Sequence, residues 1–329
     1  MATGDPCRFG LGRIGCGKNL QGQAMRIILV HNPKAGRGKL ARRELMAALA
    51  KAGHHAIYQS TRSDYKKALK KPADLVLAAG GDGTVGKVGR ELFDTGIPLS
   101  VLPLGTANNL ARSLGLCASP EEIIAGLERG ERRAFDVGLA RGPWGKRYFL
   151  EGAGGGLLAD YLRNAEGKVK GTEKLSKDEE MRRHVSLLRQ MLHDYPARKW
   201  KIALDGEDTS NRYILWEAMN IRSVGPILYF ASQAATKDGR LDFVCVREED
   251  RSLFIEYLDG RLAGRKTKSP LPLRRFRHSK IVCEKSMLHF DDKVWPDKKQ
   301  RVKSPSGIEI TVKPSALVIL QHAKQKSAR

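Results

Sequence analysis

The chain has 329 residues, 41% of them hydrophobic and 29% charged. It is long enough for two domains with cores of their own, and too apolar to be disordered, collagen-like or coiled-coil throughout. Lys and Arg number 59 against 36 Asp and Glu, a net charge of +23, which favours a polyanionic partner, either nucleic acid or an anionic membrane surface.

Residues 1–24 are rich in glycine, basic and without periodicity, and read as a flexible extension. Gly10 to Gly15 matches a dinucleotide fingerprint and Gly12 to Lys18 a Walker loop. No strand can precede the first, and Asn19 stands where the second needs a hydroxyl, so both are set aside. Met25 to Val30 is a nearly continuous apolar run ending in Asn32-Pro33, the pattern of a strand buried on both faces. The spacing then predicts a helix over 40–52, a strand over 56–60, a helix over 64–69, a strand over 74–79, a helix over 84–93 and a strand over 99–102. This alternation predicts a doubly wound, parallel-sheet α/β domain over residues 25–138. After Asp136 the texture changes to glycine-rich turns and short strand-like pieces at 147–150, 200–204, 213–220, 241–246 and 280–283, which predict an antiparallel second domain over 139–309. One helix over 178–193 carries Met181, Val185, Leu188 and Leu192 on one face, read as core packing.

The five cysteines, Cys7, Cys16, Cys117, Cys245 and Cys283, are odd in number and never closer than nine positions. They suggest neither a disulfide framework nor a C-x-x-C site and fit a reducing cytoplasm. No apolar run approaches the ~18 to 20 residues that cross a bilayer, so any membrane contact is expected to be peripheral, at the inner face.

Gly80-Gly81-Asp82-Gly83-Thr84 follows a strand and opens a helix, at the carboxyl end of a parallel sheet where such folds bind ligands. Glycines let backbone N–H groups approach phosphate oxygens and a helix start adds unpaired donors, with Asp82 facing Mg²⁺. A tight glycine turn capped by an aspartate is the alternative for this segment taken alone. Two further loops end neighbouring strands: Asn32-Pro33-Lys34-Ala35-Gly36-Arg37-Gly38-Lys39, and Pro103-Leu104-Gly105-Thr106-Ala107-Asn108-Asn109.

On these three loops in this order the sequence resembles the diacylglycerol kinase catalytic-domain family, whose lipid kinases include sphingosine and ceramide kinases. The resemblance continues through Phe135-Asp136-Val137-Gly138, Gly152 to Gly156 and Ala235 to Asp242. It implies a nucleotide domain related to phosphofructokinase and NAD kinase, followed by a β-sandwich lipid-acceptor domain, with residues 310–322 returning to the first. It further implies that Asn32, Thr61, Gly80, Gly81, Asp82, Gly83, Thr84, Gly105 and Thr106 line ATP. Asp291, in Asp291-Asp292-Lys293, takes the place of the family's catalytic base. Asp205-Gly206-Glu207 fits that motif better in letters but precedes Asp238-Gly239 and reads as a hairpin turn. Asp238 and Asp242 stand where relatives can hold a structural divalent ion, though an Asp-Gly turn explains them equally.

The sequence departs from the family's pattern at Gly86, Lys87, Asn109 and Lys293, which removes three acidic groups near the expected Mg²⁺. The leading expectation is an ATP- and Mg²⁺-dependent kinase acting on a lipid hydroxyl at an anionic membrane surface. An NAD kinase-like enzyme, or a catalytically degenerate nucleotide- or nucleic-acid-binding member of the fold, is the alternative. At 6% aromatic residues the chain offers no stacking platform, so no specific nucleic acid is expected. The oligomeric state is open, a homodimer being one option.

Overall fold

A computed structural model describes residues 23–38, 40–168, 175–265, 268–283, 286–296 and 306–321. The extension expected over 1–24 lies almost wholly outside them, as do the two motifs set aside at Gly10 to Lys18. The first half of the chain alternates as expected: β1 (Arg26–His31), α1 (Arg42–Lys51), β2 (His55–Ser60), α2 (Tyr65–Leu69), β3 (Leu75–Gly80), α3 (Asp82–Glu91), β4 (Leu99–Pro103), α4 (Asn109–Ser113) and α5 (Pro120–Ala125). The four strands are parallel in the order β2-β1-β3-β4. Because side chains alternate across a strand, each apolar run feeds two cores. Ile28, Val30, Val76, Ala78 and Val101 pack on Val85 and Val88 of α3. Ile27, Leu29, Leu75, Leu77 and Leu102 pack on Leu45 and Leu49 of α1 and on Ile123 and Ile124 of α5.

The second half comprises β5 (Glu131–Gly142), β6 (Gly145–Phe149), β7 (Gly152–Gly156), α6 (Leu157–Lys168), α7 (Lys177–His193), β8 (Arg198–Leu204), β9 (Glu207–Asp208), β10 (Asn211–Met219), β11 (Leu241–Arg247), α8 (Arg251–Leu262), β12 (Leu273–Phe276), β13 (His278–Cys283), β14 (Leu288–Phe290), β15 (Lys293–Trp295) and β16 (Ser306–Gln321). Its strands are antiparallel and enclose a core in which Trp200 of β8 meets Trp216 of β10 edge-on at 5.5 Å, with Phe149, Phe243, Phe276 and Ile308 around them. Where the sequence suggested a single helix, α6, α7 and α8 form a further layer over β10 and β11, Leu158, Leu188 and Phe254 covering Ile214, Val244 and Val246. The spacing of Phe254, Tyr257 and Leu258 is helical, but Gly260 follows within the same turn and weakens the pattern.

Two long strands join the halves. Residues 131–135 of β5 pair with 317–321 of β16, and 137–141 pair with 309–313, with a register shift between Lys313 and Leu317. Ile319 also pairs with Leu99 of β4 in parallel, and residues 306–311 pair with β13. The sheet is therefore continuous through residue 138. Asp136 holds the shift, its carboxylate accepting the amides of Ser315 at 2.8 Å and Gly239 at 2.7 Å. Ser315 itself has φ 53°, in the left-handed region.

Opposite each other on β5 and β6 stand Gly138 and Phe149. A Cβ on Gly138 would lie 2.0 Å from the buried Phe149 ring. Gly138→Ala is expected to cost about 1–3 kcal/mol through overpacking, read as a lower urea midpoint.

Candidate functional site

With β2 and β3 on opposite sides of β1, the sheet reverses its order at the carboxyl ends of β1 and β3, the switch point at which open α/β sheets leave a crevice. Asn32 leaves β1 there, its amide bonded to the Ala79 carbonyl at 2.9 Å, and Thr61 leaves β2 with its amide on the His31 carbonyl at 2.8 Å. Gly80 ends β3 and Gly81 precedes α3. The β3 and β4 loops touch backbone to backbone: a Cβ on Gly105 would lie 2.5 Å from the Gly81 Cα. A Cβ on Gly80 would meet the buried Thr84 side chain at 2.5 Å, so neither loop tolerates a larger residue at these glycines without moving. Asn108 shapes the β4 loop. At φ 51° its Oδ1 accepts the Gly105 amide at 2.9 Å and its Nδ2 donates to the Gly105 carbonyl at 2.8 Å. Thr106 donates to Glu180 of α7 at 3.3 Å, which brings α7 over this rim.

Across from the rim, four carboxylates gather. Asp82, Glu151, Asp291 and Asp292 all line one open cavity of about 190 Å³. Asp82 accepts the Leu110 amide at 3.2 Å, so it links the two loops. Burial pushes its pKa up to about 6 against the opposing pull of the 108–110 amides. Glu151, buried on the floor, is pushed well above the usual carboxylate range by desolvation and by the charges of Asp82, Asp291 and Asp292, with Asn109 hydrogen-bonded to it. Asp291 occupies the tight turn between β14 and β15 with φ 52°. Its Oδ1 accepts the amides of Glu151 at 2.8 Å and Leu150 at 3.0 Å, and its Oδ2 accepts Nη1 of Arg90 at 3.0 Å. Burial raises its pKa, and Arg90 and these amides oppose the rise.

The departures from the family's pattern acquire distinct positions. A Cβ on Gly86 would lie 3.3 Å from Arg90 Nη1, so the bare glycine leaves room for Arg90 to reach Asp291. Lys87 is exposed on α3. Asn109 is anchored by its Nδ2 to the Gly225 carbonyl at 3.0 Å and by its Oδ1 to the Ser223 hydroxyl at 2.9 Å. Lys293 Nζ is 3.1 Å from Asp292.

The chosen loops thus meet Asp82 and Asp291 at one cleft, with Asn32 and Thr61 on the adjoining strand ends. Asp205 and Gly206 lie far along the chain from this floor, in the hairpin turn between β8 and β9, with φ 50° and 93°. Asp205 accepts the amides of Arg277 and His278. Asp242 is buried beside Arg275 at 3.6 Å with its pKa pushed up to about 6 by burial, and Asp238 accepts the Arg240 amide at 3.0 Å. Among the described residues no group of three or more His, Cys, Asp or Glu is placed to hold a metal ion. Sequence reasoning missed Glu151, Arg90 and the cavity's apolar side, formed by Leu162, Met181, Val224 and Pro226 with Tyr161 and His184 between them, joined at 2.5 Å. Glu151 adjoins the glycine-rich run, but nothing in its neighbours marks it as buried.

For Asp82 the folded pKa lies above the ordinary 3.8. The folded chain keeps a proton that the unfolded chain releases, so stability falls as pH rises from about 4 to about 6 and the full cost of the charge is present above that window. Asp82→Asn is expected to raise stability by roughly 1–2 kcal/mol at pH 8 and to give no gain below pH 4, measured by thermal unfolding across that range.

The diacylglycerol kinase catalytic domain family matches residues 26–140. The diacylglycerol kinase of Bacillus subtilis (strain 168) is 28% identical over 250 residues, covering 72% of this chain and 78% of that protein. That of Staphylococcus aureus (strain JH9) is 30% identical over 156 residues, 43% of this chain and 47% of that protein. A solved diacylglycerol kinase structure from Bacillus anthracis (strain Sterne) superposes with a TM-score of 0.68 at 20% identity, over 91% of this chain and 97% of that one, a likeness of fold. The matched stretch contains every loop of the rim, and over it the chain is similar to the diacylglycerol kinase catalytic-domain family.

Proposed function

We propose that the chain is an ATP-dependent lipid kinase that transfers the γ-phosphoryl group of ATP to a lipid hydroxyl. The observation that carries this reading is the single cavity whose rim is made of two glycine loops in backbone contact, whose floor is acidic and whose remaining wall is apolar. Glycine loops at a switch point suit phosphates, through backbone N–H groups and the start of the ten-residue α3. The apolar wall suits an acyl or alkyl chain beside the acceptor hydroxyl, which a dinucleotide acceptor such as NAD would not require.

The donor chemistry fits Mg²⁺. Hard carboxylate oxygens are what this ion takes, and Asp82, Glu151, Asp291 and Asp292 present such oxygens around one cavity. Asp82 and Asp292 would hold the ion, which when bound neutralises charge on the phosphate oxygens. The protein's own part is positioning and proton transfer. The Gly81 and Gly105 loops orient the phosphates, the apolar wall excludes water, and Asp291 takes the hydroxyl proton on a carboxylate oxygen. Burial gives Asp291 a raised proton affinity, and Arg90 with the 150–151 amides fixes its orientation. Asp291→Asn is expected to lower kcat by about 10²- to 10⁴-fold with ATP affinity little changed, while Asp82→Ala abolishes transfer and Asp205→Asn is nearly silent. The assay supplies labelled ATP, Mg²⁺ and a panel of diacylglycerol, ceramide, sphingoid base and polyprenol in mixed micelles, with NAD in parallel. Label in NADP and none in lipid would replace this reading with the NAD kinase-like one.

The substrate's location implies docking at an anionic bilayer. Among the described residues no helix is long and apolar enough to cross a membrane. Eight basic residues, Arg261, Arg265, Lys266, Lys268, Arg274, Arg275, Arg277 and Lys280, crowd a stretch of twenty positions, and part of this cluster is committed elsewhere. Arg274 is paired with Glu207, Arg275 stands beside Asp242, and Arg261 donates to the Ile227 carbonyl; Lys266 lies outside the described residues. Each basic residue near an anionic surface contributes about 1 kcal/mol at most. Replacing Arg274, Arg275 and Arg277 by Gln is therefore expected to weaken binding to anionic vesicles about tenfold, with the effect shrinking at high salt. Co-sedimentation with anionic and zwitterionic vesicles checks this, and equal binding to both removes the patch from the mechanism.

A further inference from the structure

Beneath the cavity floor lies a pair of ionisable groups that the mechanism above does not use. Glu217 of β10 and His289 of β14 flank β7 on opposite sides, and both stand in register with Gly154. Their side chains meet over that glycine, with His289 Nε2 2.9 and 3.0 Å from the two Glu217 oxygens and both residues wholly buried. A Cβ on Gly154 would lie 2.2 Å from Glu217 Oε1. The middle glycine of the glycine-rich run is thus the space that admits the pair.

The other imidazole nitrogen, Nδ1, is 3.0 Å from the carbonyl oxygen of Asp291. Both partners of the ring are acceptors when Glu217 is ionised, and a neutral imidazole donates from one nitrogen only. The arrangement therefore requires an imidazolium on a carboxylate, or a neutral ring whose Nε2 accepts a hydrogen bond from a protonated Glu217. In either form the pair holds one proton and no net charge, and Nδ1–H is a donor aimed at Asp291. Burial pushes the imidazole's pKa down, and Glu217 together with Asp291 more than reverses this, so the ring stands above its ordinary value.

We propose that the Glu217–His289 pair is a positioning device for Asp291: it grips the Asp291 carbonyl, holds the residue in its left-handed conformation and so aims its carboxylate at the 150–151 amides, Arg90 and the cavity. A non-glycine residue in that backbone region is sterically disfavoured and persists only where its surroundings over-determine it. Here two bonds do so on the main chain, the His289 contact to the carbonyl and the Asp291 amide on the Gly152 carbonyl at 2.8 Å. The ring's orientation depends in turn on Glu217, as a ligand-orienting imidazole depends on the carboxylate behind it. The consequence for turnover rests on Asp291 being the proton acceptor proposed above; the positioning itself does not.

The test uses two variants that bury no charge. In Glu217→Gln with His289→Asn, the amide nitrogen stands where Nδ1 stood and the bond to Asp291 is kept. In Glu217→Gln with His289→Gln, the amide reaches toward position 217 and that bond is lost. Amide hydrogen exchange at Leu150 and Glu151, whose N–H groups end on the Asp291 carboxylate, is expected to rise tenfold or more in the second variant and to change little in the first. Turnover should follow, kcat falling about 30-fold in the second variant at unchanged KM for ATP, with no further fall when Asp291→Asn is already present. Gly154→Ala, which displaces Glu217 without altering either group, should reproduce the exchange pattern if a double variant does not fold. Equal exchange at these amides in all variants would overturn the proposal. Exchange that changes as expected while kcat does not would leave the positioning intact and remove Asp291 from the role of proton acceptor.

Discussion

The two halves of the molecule are held in one frame by the antiparallel ribbon of β5 and β16. The pairing of residues 137–141 with 309–313 is part of the antiparallel half, and that of 131–135 with 317–321 runs beside the parallel sheet. A cleft between two separately folded units would open and close about a linker, since interdomain contacts are commonly modest. Here the main-chain hydrogen bonds of a shared sheet carry the connection, so the glycine rim and the acidic floor keep their relative position through backbone geometry. The irregularity near Lys313 lets the strands leave one sheet and enter the other, and Asp136 stabilises it by bonding to Ser315 on one side and Gly239 on the other.

Within that frame the floor brings together charges that repel. Four carboxylates around one cavity would be strongly unfavourable if all were ionised and dry. The protein meets this in three ways: Arg90 and Lys293 each stand beside one of them, main-chain amides receive Asp291 and Asp82, and burial raises the proton affinity of Glu151 well above that of an ordinary carboxylate. Two of the departures from the family's pattern, Gly86 and Lys293, are part of this arrangement. Gly86 opens the path of Arg90, and Lys293 lies against Asp292. The site retains acidic groups but distributes the compensating positive charge differently from the pattern its motifs suggested.

Glycine has two separate uses along this path. At Gly81 and Gly105 its value lies in approach, two loops from different strands touching where any side chain would separate them. At Gly154 it lies in vacancy, since a β-strand places its neighbours' side chains over one position and the absent Cβ is the volume they occupy. The first use shapes what a ligand meets and the second supports it from behind.

The alternation of strand-like runs with helical spacing in residues 25–125 was enough to determine the parallel sheet, because β1, β3 and β4 are bounded by turns and buried on both faces, a local signature, while β2 lies half-exposed at the edge. The three loops at the strand ends were legible for the same reason, since glycine and proline punctuate the chain where it turns. Asp205-Gly206 could likewise be recognised as a hairpin turn from its neighbours. Other features depended on partners distant in sequence. The helical layer of α6 and α8 is defined by packing on β10 and β11, and glycines in or beside both helices obscure their periodicity. Glu151 becomes a floor residue only when β7 lies between β10 and β14, and Arg90 becomes a partner of Asp291 across 201 residues of chain. The same holds for Glu217 and His289, whose letters suggest two ordinary surface residues. Their burial follows from strand register, and register joins residues by position in the sheet, whatever their separation in the chain.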